Sequence, residues 1–374
     1  MIRDPAEEHR ASTPLELFFD LTYVVAVGRA ATALHHQLAE GHIAVGLIGF
    51  GTMFFAIWWG WMNYTWFASA HDSDDIAHRL LTLVQITGVL IFAAGVTRAA
   101  EHQDFAIVVL GFFVMRVGLI GSWLRVARDQ PEVRQRALRF AAALAIVQAL
   151  WIARLAVPPS VLLLSFVILA GIEMCVPIWA ERVGTIVPFH PEHIEERYGL
   201  FTIILLGESI LSATAGFQTA FDEGGLTDGL LAVGLGGLVL AFGAWWLYFD
   251  HPGHIAPSSD NAFVWGYAHV VLFASLAAVG AGIYLAAEVV SSGEGSVRTA
   301  SLAVAVPMAT YLLGLALVMV VSGARGRERR IWAKVVGATA MVAIGLTLPV
   351  AATVVGCAVV MVSLAAFMEF SRPA

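Results

Sequence analysis

The chain has 374 residues, of which 59% are hydrophobic and only 13% charged, with a mean hydropathy of +0.79. That composition excludes a soluble multidomain protein, because most of the chain needs lipid as its solvent. The net charge is -7, and the 21 basic residues are gathered into a few loops, which leaves no basic face for nucleic acid.

A polar tail, residues 1–13, comes first. It is followed by an apolar segment too long and too charged for a signal-peptide core, which reads as an uncleaved first helix. Apolar runs able to cross ~30 Å of hydrocarbon then fall near 14–36, 43–67, 79–100, 104–125, 137–156 and 158–180. After a linker, 181–197, a second set falls near 198–216, 226–249, 261–289 and 299–321, and 331–370 is long enough for two short helices turning at Leu348-Pro349. The expected fold is therefore all-α, a polytopic bundle of about twelve transmembrane helices. The two cysteines, Cys175 and Cys357, sit inside apolar runs and supply neither a disulfide framework nor a thiolate metal site.

Orientation follows from where Lys and Arg collect. With the N-terminus in the cytoplasm, 16 of the 21 basic residues fall on the cytoplasmic side. Arg125, Arg128, Arg134, Arg136 and Arg139 dominate one loop, and Arg325, Arg327, Arg329, Arg330 and Lys334 the other. These read as topology anchors, with both ends inside and the linker and the C-terminal tail, 371–374, also cytoplasmic. The chain is expected as a multi-pass protein of the bacterial inner (plasma) membrane.

The two basic loops occupy the same place in each set of six helices, as an internal duplication would have it. Asp20 lies 188 positions before Glu208, and Trp58-Trp59 lies 187 before Trp245-Trp246. Residues 14–180 and 198–370 are accordingly expected to be two parallel six-helix repeats, with any site between them. The aromatic cluster Trp58, Trp59, Trp61, Tyr64 and Trp66, with Trp245, Trp246 and Tyr248, falls at helix ends and is expected as an interfacial belt.

Charges inside the bilayer are costly and must face a partner or water. Glu16 and Asp20 share a face of the first helix, and Arg29 lies on another side and needs a partner on a different helix. Arg116 and Glu208 fall near the middles of helices 4 and 7, and Glu173 toward the cytoplasmic end of helix 6. Glu208 is a candidate partner for either arginine. Arg197, three turns before Glu208 on one face, stands where it would guard a cytoplasmic mouth, beside Glu196. His190 and His193 with Glu192 and Glu196 lack a His-Glu-x-x-His signature, so no metal site is assigned. His269 reads as a packing histidine rather than a proton relay.

Two stretches, Leu15-Glu16-Leu17-Phe18-Phe19-Asp20-Leu21 and the run from His193 to Ser209, resemble the bacterial low temperature requirement A family. The resemblance spans nearly the whole chain in helix count and layout, and its motif positions fall on Glu16, Phe19, Asp20, His193, Glu196, Arg197, Gly207 and Glu208. Tyr198 stands where Phe is more usual. The resemblance implies a multi-pass membrane protein associated with growth at low temperature. The first helix is also similar to that of six-helix potassium-channel units with Phe-Ser-Asp, but Phe18-Phe19-Asp20 lacks the serine.

The functional expectation is transport or conduction of a small ion or polar solute, with Asp20 and Glu208 as site acids, Glu16, Glu173 and Glu196 as further acids, and Arg29, Arg116 and Arg197 as counter-charges. No cofactor is implied; the partners are the lipid bilayer, the solute and possible further copies of the chain. The rival readings are a lipid-handling protein or enzyme working at the membrane edge, and a structural or sensory protein whose charges only specify packing.

Overall fold

A computed structural model describes residues 11–71, 73, 75–183, 189–250, 261–323 and 328–371. The aspartates at 72 and 74, Pro188, residues 251–260, and Arg325 and Arg327 lie outside the described residues. The described residues fold into twelve α-helices: α1 (Pro14–Ala39), α2 (Ile43–His71), α3 (Ile76–His102), α4 (Ala106–Asp129), α5 (Arg134–Ala153), α6 (Leu162–Ala180), α7 (Pro191–Gly224), α8 (Asp228–Phe249), α9 (Asn261–Ser292), α10 (Val297–Val321), α11 (Glu328–Thr347) and α12 (Val350–Phe370). Among the described residues, twelve helical segments are long and apolar enough to cross a membrane. The last two are separate helices, and the break falls at Leu348-Pro349 as expected.

Local sequence explains several of the ends. Thr13 and Glu16 form a reciprocal capping box on α1: Thr13 N–H donates to Glu16 Oε2 at 2.8 Å and Glu16 N–H to Thr13 Oγ1 at 3.2 Å. The helix stops at Gly41, whose φ of +80° is left-handed and favours glycine. α7 starts at Pro191, within the stretch 181–197 expected as a linker, where a proline's missing N–H costs the first turn nothing.

Packing sorts the chain into two units: one runs to Ala26 and again over Phe55–Ile194, the other over Val27–Phe54 and from Glu195 onward. In the first unit α3 and α4 meet backbone to backbone. A Cβ at Gly88 would lie 2.7 Å from the Gly111 carbonyl, and one at Gly118 2.6 Å from the Leu81 carbonyl, the small-residue contact by which membrane helices approach closely. Trp123 stacks on Phe140 at 4.2 Å within an apolar cluster that ties α2, α4, α5 and α6. In the second unit Gly243 of α8 faces Met361 of α12, and the Tyr311 hydroxyl of α10 donates to the Ala244 carbonyl at 2.6 Å. Large apolar side chains such as Leu164, Val167, Leu235 and Phe242 are exposed, while many charged ones are buried. This is the distribution of a bundle whose helices contact a lipid bilayer.

Asp75 joins two tasks at the start of α3. Its Oδ1 accepts from the His78 N–H at 2.9 Å, and Arg125 of α4 grips both carboxylate oxygens, with Nη1 2.7 Å from Oδ1. The Arg125 guanidinium first, and the backbone N–H second, hold the carboxyl well below its ordinary range. A depressed carboxyl stabilises the fold fully above the unfolded value of ~3.9 and loses that contribution as pH falls toward the folded value. The pair is partly exposed, so it is worth about 1 kcal/mol or less. Asp75→Asn, which keeps a capping oxygen but not the charge, is expected to lose up to about that much above pH 5 and to flatten the acid limb of stability. Melting temperatures of both proteins from pH 3 to 7 check this; parallel curves would contradict it.

Candidate functional site

The buried charges divide into those that are fully answered by neighbours and those that are not. Glu173 of α6 belongs to the first kind. Its carboxylate receives Arg116 Nη2 at 2.7 Å, the Trp59 indole N–H at 2.8 Å and the Trp151 indole N–H at 3.0 Å. One acid thereby links α2, α4, α5 and α6, with Arg116 and Glu173 both almost wholly buried. Sequence reasoning left open which acid Arg116 faces and proposed Glu208 as one candidate; the structure pairs it with Glu173. Arg29 differs from expectation too: it is exposed, and among the described residues it has no ion-pair partner.

Around the first helix motif, Asp20 is completely buried and accepts the Trp61 indole N–H at 2.8 Å. Phe19 packs on Tyr64, ring centres 4.0 Å apart. Glu16, besides capping its helix, lies 3.1 Å from His193 Nε2, both fully buried. The resemblance to a known family had singled out Glu16, Asp20 and His193, and the fold brings two of them into contact. The Trp cluster corrects an expectation: Trp58, Trp59, Trp61 and Tyr64 are core residues at 0–1% exposure, not an interfacial belt; the Trp59 and Trp61 indoles donate to the buried Glu173 and Asp20, and the Tyr64 hydroxyl lies 3.3 Å from Thr82 Oγ1. Trp245 and Trp246, at 47% and 46% exposure, do lie on the surface.

In the second unit Arg197 is buried and Glu196 half-buried on the opening turns of α7. His269 is buried, its Nδ1 2.8 Å from the Trp265 carbonyl one turn back, and its ring lies against Tyr198 and Trp265. That is a packing histidine, as expected.

Glu208 is of the other kind. It is 9% exposed in the middle of a membrane-type helix, and among the described residues its carboxylate accepts one hydrogen bond, from Ser212 Oγ at 3.1 Å. It presses on α1 where that helix has no side chain: a Cβ at Gly28 would lie 2.6 Å from Glu208 Oε1. From this point polar side chains recur on three helices at helical spacing: Thr32 and His35 on α1, Glu208 and Ser212 on α7, and Tyr284 and Glu288 on α9. His35 Nε2 lies 2.8 Å from Glu288 Oε2, and its ring packs on Tyr284 with centres 4.1 Å apart. Ser212, Thr32, His35 and Tyr284 line a cavity of about 60 Å³. That is room for a few water molecules with polar partners to hold them.

His35, Ser212, Tyr284 and Glu288 were not among the residues picked out from the sequence. Two of them carried a signal: Ser212 lies one turn beyond Glu208, and Glu288 is the one acid in the otherwise apolar α9. A larger space of about 310 Å³ between α7, α8 and α9 is of another kind. Its hydroxyls, Ser209 and Thr214, already donate to the Leu276 and Ile210 carbonyls, so it offers a polar solute nothing.

The fold and these buried acids define a multi-pass helical membrane protein. The family model for bacterial low temperature requirement A protein matches residues 11–366, and the chain belongs to that family. It is also similar to an uncharacterized protein of Rhizobium meliloti (strain 1021), 26% identical over 260 residues; the match covers 67% of this chain and 61% of that protein's length, so it spans less than two thirds of the relative.

Proposed function

We propose that the protein moves a small cation across the membrane and that Glu208 is the carboxylate that binds it. The observation that carries this reading is the contrast between two buried acids. Glu173 is answered by a guanidinium and two indoles, whereas Glu208 has one serine hydroxyl and, among the described residues, no neutralising cation. An ionised group at the bilayer centre costs at least ~2.5 kcal/mol even on the lenient scale, so such an acid holds a proton or a cation when it is at rest. A site that must take up a cation to be stable and lies beside water-sized space can also release it. Asp20, Glu16, Glu173 and Arg116 then act as packing groups that hold the first unit, and Arg197 and Glu196 flank the opening of α7.

The same reading takes residues 14–180 and 198–370 as repeats with both termini in the cytoplasm of the plasma membrane, supported by the basic residues and by the spacing of Asp20 and Glu208.

Purified protein in liposomes under an imposed gradient tests the reading, with proton and monovalent-cation flux read separately. Wild type is expected to conduct and Glu208→Gln to lose at least tenfold of the flux while eluting as a folded protein. Flux undiminished in Glu208→Gln, or none in wild type, would overturn it.

A further inference from the structure

We infer that the cation is the proton, and that it reaches Glu208 through the His35–Glu288 pair and the small cavity beside Ser212. The inference rests on the reading of Glu208 as the binding acid and adds to it the substrate and the route.

The first step concerns what Glu208 can hold. A metal cation stripped of water needs a shell of several oxygen ligands. Around Glu208 the described residues supply its own carboxylate and the Ser212 hydroxyl bonded to it, and the polar groups lining the space beyond are the Thr32 hydroxyl, the His35 and His36 imidazoles and the Tyr284 phenol. No cage is present. A proton needs only one lone pair at each stop and a hydrogen-bonded chain between stops, and an isolated carboxyl sharing a bond with a serine is such a stop.

The second step concerns the route. Gly28 and His35 are seven residues apart on α1, so the His35 level lies about 10 Å along the helix from the Glu208 level. The gap is bridged by Ser212, Thr32 and a cavity of about 60 Å³. At its far end the pair is graded in exposure: the Glu288 side chain is 42% exposed and that of His35 10%. Both lie about one turn from the ends of their helices, Ala39 and Ser292. Glu288 is thus the group that meets the outside, and His35 the group that meets the cavity.

The charge-bearing and titratable groups facing His35 are few: His36 on its own helix, Glu208 beyond Ser212 on α7, and Tyr284 and Glu288 on α9. Imidazole is the side chain suited to transfer here, because one ring nitrogen accepts a proton as the other gives one up. A proton taken from water by the Glu288 carboxylate passes to the facing nitrogen of His35. The other ring nitrogen releases its proton to water in the cavity, and Ser212 relays it to Glu208. Charge is conserved at each transfer, and no co-reactant is required.

The test uses the full chain in liposomes and three variants. In wild type, flux is expected for protons and not for sodium or potassium. His35→Gln keeps a polar side chain but removes the relay, and it is expected to cut proton flux at least tenfold, as Glu208→Gln does. Flux lost in Glu208→Gln yet retained in His35→Gln would overturn the route while leaving the Glu208 reading intact. Alkali-cation flux that depends on Glu208 would overturn the choice of ion. No flux in wild type would overturn both. Independently of whether His35→Gln folds, Ser212→Cys in a Cys175→Ala background is expected to react with a small water-soluble thiol reagent added outside; protection of that cysteine would overturn the wet cavity.

Discussion

Replacing Glu173 with leucine is expected to destabilise the protein by roughly 3–5 kcal/mol, the cost of removing one partner from a buried ion pair. The variant leaves the Arg116 guanidinium buried without its carboxylate and strands the Trp59 and Trp151 N–H groups, each of which then bears a desolvation penalty of about 1–3 kcal/mol. Arg116→Leu is expected to cost less, because the carboxylate keeps two indole donors. The double variant Arg116→Leu with Glu173→Leu should fall below the sum of the singles, since no charge remains buried, yet not reach zero, since the two indoles still lack an acceptor. Unfolding of the four proteins in detergent, followed by tryptophan fluorescence and by loss of helicity, measures this. Strict additivity would mean that the pair is not coupled and that Glu173 holds its helices by the indoles alone.

The same four-helix junction marks the boundary of what the sequence makes legible. The spans were readable because hydrocarbon thickness sets a minimum apolar length, and even the break at Leu348-Pro349 followed from it. The positions of Glu16, Asp20, Glu173 and Glu208 were readable as anomalies in apolar runs, Arg197 by its spacing from Glu208, and family resemblance added weight to His193 and Arg197. Partners were not readable. In a membrane protein a leucine facing lipid and a leucine facing another helix are equally apolar, so hydropathy carries no inside–outside signal and faces cannot be assigned. That is why Trp58, Trp59 and Trp61 looked like an interfacial belt. An indole suits a headgroup layer and a buried carboxylate for the same reason, an apolar body with one N–H donor, and only the fold shows that the first cluster serves Asp20 and Glu173 while Trp245 and Trp246 stay on the surface. The His35–Glu288 contact joins residues 253 positions apart, with no local pattern to announce it.

Gly111→Val is expected to be more damaging than its size suggests, costing about 3 kcal/mol or more. A Cβ at Gly111 would collide with the backbone of Phe92 and would lie 2.7 Å from the Gly88 carbonyl. Neither obstacle is the flexible end of a side chain, so relief requires α3 and α4 to separate. Overpacking commonly costs 1–3 kcal/mol where side chains can give way, and here they cannot. Separation would also move Arg116, five residues along α4, relative to Glu173 on α6, so part of the loss should appear as weakened coupling between those two residues. The control lies on α6 itself. Gly171 has nothing within 4 Å of a Cβ position and faces outward, so Gly171→Ala should be neutral or should stabilise by up to about 1 kcal/mol through helix propensity. Melting temperatures of the two variants should therefore move in opposite directions or only Gly111→Val should move. If both fell equally, glycine would be required for helix flexibility in general, and the close approach of α3 and α4 would not be what fixes Arg116 in place.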